Sequence, residues 1–234
     1  ETLIFPLIWI SVICLLIALT NFSSSVLLFV TCIILLFISR VPIKYLTLLL
    51  VSFIIAGSIA IFIGQRGQTV INRFENFIEN KEIPFQLKQA YIAVSTGGLF
   101  GKGPGKSNQK NFLPQSYSDF IYAIIIEEYG LVTGLFVLIL YLLLLYRGLV
   151  TLMRSERAFG GLLSAGLSFA LVIQAIINMC VVVGLLPVTG LTLPLISMGG
   201  TSQLFTGITL GIILSVSRYN EDESDNNLVY DKII

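Results

Sequence analysis

The sequence predicts an all-α protein, a polytopic membrane helical bundle of about six transmembrane helices, and three observations carry that expectation. Of 234 residues, 56% are hydrophobic and only 12% are charged, against roughly 25% charged in an average soluble domain. The apolar residues form long runs, several approaching or exceeding the roughly 20 residues that cross a hydrocarbon core. The basic residues fall in the connections between those runs.

Six spans are expected, at 4–20, 24–38, 45–63, 120–146, 160–186 and 203–217. Arg40 and Lys44 lie in one connection, Arg147, Arg154 and Arg157 in another, and Arg218 follows the last span. The connections 21–23 and 187–202 hold no Lys or Arg. By the positive-inside rule for short loops, both chain ends are cytoplasmic, and the uncharged connections and the long segment 64–118 are outside. This gives a membrane domain over 1–220, with its outer loop at about 64–118, and a flexible acidic cytoplasmic tail over 221–234. Glu221, Asp222, Glu223 and Asp225 leave that tail too little apolar surface to fold. Position 1 is Glu1, without an initiator Met or a basic leader, so 4–20 is not read as a signal peptide and the chain is expected to be part of something longer.

The outer loop carries seven Lys and Arg against three acids. A surface of that sign suits anionic ligands, though a solvated loop would look the same. Within it Leu87, Ala90, Tyr91 and Val94 share one helical face, with Gln86, Lys88 and Gln89 turned elsewhere. That pattern predicts an amphipathic helix lying on the outer leaflet.

Histidine is absent, which removes Ser-His-Asp triads, Cys-His pairs and imidazole metal ligands. Cys14, Cys32 and Cys180 sit far apart inside apolar runs and read as small buried hydrophobes. The run 101–107 ends in Gly-Lys-Ser, but a P-loop needs a glycine where Phe100 stands, so no nucleotide site is expected there; nor is a nucleic-acid partner expected. Its glycines allow positive φ beside Lys102, Lys106 and Lys110, which serves either a diphosphate cradle or a flexible turn.

Asp119 stands where this loop meets the fourth span. Two readings are open for it: a general base at the water boundary, or the N-cap of the following helix, with Ser118 as an alternative cap. Glu127 and Glu128 lie roughly 12–14 Å further along that helix, where an ionised carboxylate costs about 2.5–3.5 kcal/mol at the bilayer centre. Both must therefore face the bundle interior, water or a partner, in a functional role or a helix–helix contact. Gln174 and Asn178, four apart on the fifth span, are their expected partners in an intramembrane polar network. The segment 191–202 is broken by Pro194 and Gly199-Gly200, and irregular backbone near a membrane must be buried in protein or line a cavity. It is expected to fold back toward the site.

Four separated stretches then stand in order: Gln89 with the glycine-rich run 95–110; Leu-Pro-Gln-Ser-Tyr-Ser-Asp-Phe-Ile-Tyr-Ala over 113–123; Glu127-Glu-Tyr-Gly130; and Pro-Val-Thr-Gly-Leu-Thr-Leu-Pro-Leu-Ile-Ser-Met-Gly-Gly-Thr-Ser over 187–202. Together they resemble the SEDS family of bacterial cell-wall proteins over almost the whole chain. The resemblance implies an inverting peptidoglycan glycosyltransferase that polymerises undecaprenyl-diphosphate-linked lipid II outside the bacterial cytoplasmic membrane during division. It puts Asp119 at the family's essential outer-loop aspartate and implies a class B penicillin-binding protein transpeptidase as partner, among other divisome proteins. Members have about ten spans, so an N-terminal portion is expected to be missing. Two departures stand out: 20–24 lacks the usual proline, and Met198 replaces a common aromatic.

On this reading Asp119 takes the proton of the acceptor sugar's 4-hydroxyl as it attacks the donor's anomeric carbon and displaces a lipid diphosphate. Arg73, Lys102, Lys106 and Lys110 are candidates to steady that diphosphate, with Gln89, Gln109 and Ser197 as further substrate-binding candidates. A divalent cation is the one cofactor to consider, although no second outer carboxylate stands near Asp119 in sequence. The rival readings are a lipid II flippase centred on Glu127 and Glu128, and a non-catalytic scaffold for the transpeptidase.

Overall fold

A computed structural model describes residues 4–63, 67–79, 84–113, 117–155 and 157–231. Among them the order is α1 (Ile4–Thr20), α2 (Phe22–Ile38), α3 (Ile43–Ile63), α4 (Gly67–Glu79), α5 (Phe85–Gly97), a short 3-10 turn (Gln109–Asn111), α6 (Ile121–Arg154), α7 (Ala158–Val182) and α8 (Gly200–Asp231). The stretches Ile43–Phe62, Ile121–Arg154, Ala158–Val182 and Gly200–Tyr219 are long and apolar enough to cross a membrane. Helices α1 and α2 are apolar but only 17 residues each, about 25 Å long. All six expected spans are thus helices of one polytopic membrane bundle.

Asn21 alone separates α1 from α2. Its side chain caps α2 by accepting from the Ser24 amide at 3.3 Å, the role in which Asn excels, so this turn is closed without the proline its sequence lacks. Helices α1 to α3 pack around Leu7, Cys14, Phe29 and Leu49. A second core gathers α5, α6, α7 and the connection after α7 around Ala90, Ala123, Ile126, Val172, Ala175 and Leu193. Helix α2 against α7 joins the two.

The loop helices depart from expectation in an instructive way. Helix α5 does bury the face predicted from its spacing, with Leu87 and Ala90 inside and Tyr91 and Val94 partly so, but the partner is α6 and α7 rather than lipid. The segregated helix is α4. Its Ile71, Phe74, Phe77 and Ile78 form one exposed apolar arc, opposite Gln68, Asn72, Glu75 and Glu79, which is the pattern of a helix resting at a membrane interface.

At its far end α8 continues as helix through Asp231, into the acidic segment whose composition suggested coil. Phe22 and Ser23, Val70 and Phe74, and Leu186 to Thr189 with Leu191 line one common cavity. The connections before α2, within 64–118 and after α7 therefore gather at one end of the bundle.

Candidate functional site

Asp119 enters α6 without capping it. The N-cap position belongs to Phe120, and among the described residues the carboxylate of Asp119 makes one hydrogen bond, accepting from Ser118 Oγ at 3.0 Å. The helix-cap reading is therefore not the one the chain adopts. Asp119 is half-buried, and the α-carbon of Gly190 lies close enough that a Cβ there would sit 3.9 Å from Asp119 Oδ2.

What holds this residue is its backbone. Three successive carbonyls, of Tyr117, Ser118 and Asp119, accept from the Met198 amide at 2.8 Å, Ser197 Oγ at 2.7 Å and Asn178 Nδ2 at 2.7 Å. Asn178 Nδ2 also donates to Leu191 O at 2.7 Å. Gln174 Nε2 donates to Thr192 O at 2.9 Å, and the Tyr141 hydroxyl donates to Pro194 O. The irregular connection after α7 thus satisfies its carbonyls on α6 and α7, as backbone at membrane depth must. It does fold back to the site.

Glu127 belongs to a different arrangement. Its fully buried carboxylate accepts from Lys102 Nζ at 2.6 Å, from Ser107 Oγ, and from the amides of Asn108 and Gln109, each at 3.3 Å. Lys102 Nζ also donates to Thr96 Oγ1 at 2.9 Å. Beside it α6 breaks at Gly130, where φ is 87° and ψ is 171°. The glycine-rich loop fills the break: Leu131 and Val132 donate to the carbonyls of Gly98 and Leu99, while Lys102 and Gly103 donate to those of Glu127 and Glu128. Gly101 has φ 78°, and a Cβ there would lie 2.3 Å from Glu128 O. Only glycine permits both that φ and that approach.

The expected network of Glu127 and Glu128 with Gln174 and Asn178 is accordingly not formed, since each of these residues bonds elsewhere. Glu127 serves the loop, Glu128 offers its backbone carbonyl to Gly103, and Gln174 and Asn178 serve the connection after α7. Ser197 is buried, and its hydroxyl is spent on Ser118. Of the loop cations, Lys102 is paired with Glu127, Lys110 lies 5.2 Å over the Tyr117 ring, and Lys106 is exposed. Gln109 gives its amide to Glu127, while its Oε1 is buried without a partner; Gln89 lies half-buried on α5. Arg73 stands apart on α4, donating to Val188 O at 3.1 Å.

The role of Ser107 escaped the sequence reading, although its place in the Gly-Lys-Ser run was the available signal. Beside the Asp119 carboxylate the hydrogen bonds show one hydroxyl, that of Ser118, and no group of three or more His, Cys, Asp or Glu gathers among the described residues.

A profile of the family described as cell cycle protein, grouping FtsW, RodA and SpoVE, matches residues 1–222. The chain belongs to this family. Among the FtsW/RodA/SpoVE relatives, the stage V sporulation protein E of Bacillus subtilis is 37% identical over 81% of this chain and 52% of its own length. A probable peptidoglycan glycosyltransferase FtsW of Alkalilimnicola ehrlichii is 46% identical over 56% of this chain and 34% of its own. The protein of the same name from Bacillus subtilis is 36% identical over 93% and 58%. The chain thus spans between about a third and somewhat over half of these relatives. A chain of a solved peptidoglycan synthase complex has the same fold, with a TM-score of 0.63 and 24% identity over 85% of this chain and 56% of its own.

Proposed function

We propose that the site around Asp119 performs inverting glycosyl transfer, polymerising lipid II into glycan strands in cell division. The observation that carries this reading is the contrast at the start of α6: a carboxylate free of capping duty, on a backbone fixed through three consecutive carbonyls. A general base needs spare acceptor capacity and a fixed position. Asp119 has both. The relatives named as peptidoglycan glycosyltransferases point to the same chemistry.

In the proposed step the Asp119 carboxylate takes the proton from the acceptor sugar's 4-hydroxyl. That oxygen bonds to the donor's anomeric carbon, and the bond from this carbon to the lipid diphosphate breaks, with the diphosphate leaving as the anion. One displacement inverts the α-linked donor to a β-linkage, so no enzyme nucleophile is required. Glu127 has no part in the transfer. It fixes the loop leading to Asp119.

The site end of the bundle is read as the outer face of the bacterial cytoplasmic membrane. The basic residues of the opposite connections, Arg40, Lys44, Arg147, Arg154 and Arg157, support that orientation. Both ends of this chain, including the acidic segment 221–234, are then cytoplasmic. A class B penicillin-binding protein transpeptidase is the proposed partner, together with other divisome proteins. The test is glycan synthesis from purified lipid II by the full-length protein. Synthesis without any other polymerase supports the reading, and its absence in a well-folded preparation contradicts it.

A further inference from the structure

Helix α6 is not one rod. In an unbroken helix, residues eight apart are separated by about 12 Å. Here a Cβ at Gly134 would lie 2.9 Å from Ile126 Cγ1 and 3.2 Å from the Tyr122 hydroxyl. Contacts that close require the arm before Gly130 to turn back and lie against the arm after it. Gly130 makes the corner, with φ 87°. Gly134 makes the crossing, where the lack of a side chain lets the two arms approach.

The arm after the corner runs to Arg154, about 36 Å at 1.5 Å per residue, and is long enough by itself for the roughly 30 Å hydrocarbon core. The arm before it is a half-helix that returns into the bundle. Its Tyr122, Ala123 and Ile126 are buried, and Asp119 stands at its free end. The mouth of this helical hairpin is strapped by the connection after α7. Tyr141, on the long arm, donates from its hydroxyl to Pro194 O, and three residues further on Ser197 Oγ donates to Ser118 O at 2.7 Å. Corner, crossing and strap fix one geometry, and the carboxylate of Asp119 takes no part in any of them.

We infer that Gly134 is a positioning residue for the transfer, setting the place of Asp119 through the angle between the two arms. This rests on the role proposed above for Asp119. Ordinary van der Waals contact begins at 3.4 Å, so a methyl at 134 displaces the half-helix by about 0.5 Å where it meets Ile126. Ile126 stands four residues from the corner and Asp119 eleven, which multiplies the shift nearly threefold, to about 1.4 Å at Asp119. A displacement on the order of 1 Å at a reacting group costs about 10²-fold in rate. Gly134 itself has helical backbone, Gly130 being the non-helical residue of α6. Alanine is the better helix former, so a single straight helix would accept Gly134→Ala without loss.

The hairpin is tested without turnover. In full-length protein lacking its native cysteines, Ile126→Cys with Gly134→Cys should form an intrachain disulfide on mild oxidation, read by mass spectrometry of the digested protein, because bridged Cα atoms must lie within about 7 Å. Phe136→Cys with Leu144→Cys, also eight apart but on the straight arm, should stay reduced. Positioning is tested by glycan synthesis from lipid II. Gly134→Ala should lower kcat by about 10²-fold with KM little changed, in a protein whose melting temperature shows it folded. Gly134→Ala combined with Ile126→Ala, which makes room for the new methyl, should recover most of the rate. Absence of the 126–134 disulfide, or a Gly134→Ala protein with wild-type kcat, would overturn the inference. If the disulfide forms while Asp119→Asn polymerises at the wild-type rate, the hairpin stands and the reaction assigned to Asp119 fails.

Discussion

The side-chain nitrogen of Asn178 lies 2.7 Å from the backbone oxygen of Asp119 and 2.7 Å from that of Leu191. One amide on α7 thereby ties the start of α6 to the connection after α7. Asn178 is 2% exposed, so water cannot take its place at either carbonyl. The proposed base is held in part by a residue that bonds its backbone oxygen and not its carboxylate.

Asn178→Ala should therefore act at a distance from the chemistry. It leaves the buried Leu191 carbonyl without this donor, at a cost of about 1–3 kcal/mol, removes the donor from the half-buried Asp119 carbonyl, and frees Asp119 to shift. A displacement on the order of 1 Å at a reacting group costs about 10²-fold in rate. Glycan synthesis by the full-length variant should fall by about that factor, while substrate binding changes far less. Unchanged synthesis would show that the tie has no positioning role.

Much of the fold was legible because its signal is one of length and period. The longest apolar runs exceed what a soluble core requires, and all six runs form helices. The helical spacing of Leu87, Ala90, Tyr91 and Val94 also identified a buried face correctly, but periodicity cannot say whether protein or lipid covers it. The partner of Glu127 was out of reach for the same reason. Depth along the helix pointed to Gln174 and Asn178, whereas Lys102 arrives through a re-entrant loop 25 residues upstream, made possible by the break at Gly130. Asp119 was found as a boundary carboxylate. The placement of the N-cap on Phe120 sets aside the cap reading that the sequence also allowed.

The ion pair of Lys102 and Glu127 predicts a sign pattern. Lys102→Ala leaves a fully buried carboxylate with no counter-charge and should destabilise the protein by about 3–5 kcal/mol. Lys102→Ala combined with Glu127→Gln should recover a large part of that loss, because the uncompensated charge is gone. Thermal unfolding of the two single variants and the double variant gives the coupling. Additive losses would mean that Lys102 works through something other than Glu127.

The docking of the glycine-rich loop separates two substitutions of the same kind. Gly101→Ala sets a Cβ 2.3 Å from Glu128 O, whereas at Gly105, with φ 74°, a Cβ meets nothing within 4 Å. Gly105→Ala should cost only the left-handed backbone penalty of about 1–2 kcal/mol. Gly101→Ala must push the loop out of the break. Limited proteolysis should therefore cut the loop much faster in Gly101→Ala than in Gly105→Ala, and equal rates would contradict the docking.

The most direct measurement compares glycan synthesis from lipid II by the full-length protein with and without Asp119→Asn. The substitution keeps size and shape, and the three carbonyl contacts at 117–119 do not involve the carboxylate. The melting temperature should stay near that of wild type. The rate should fall by about 10²–10⁴-fold, the usual contribution of a positioned general base. An Asp119→Asn protein that folds normally and polymerises at the wild-type rate would contradict the assignment.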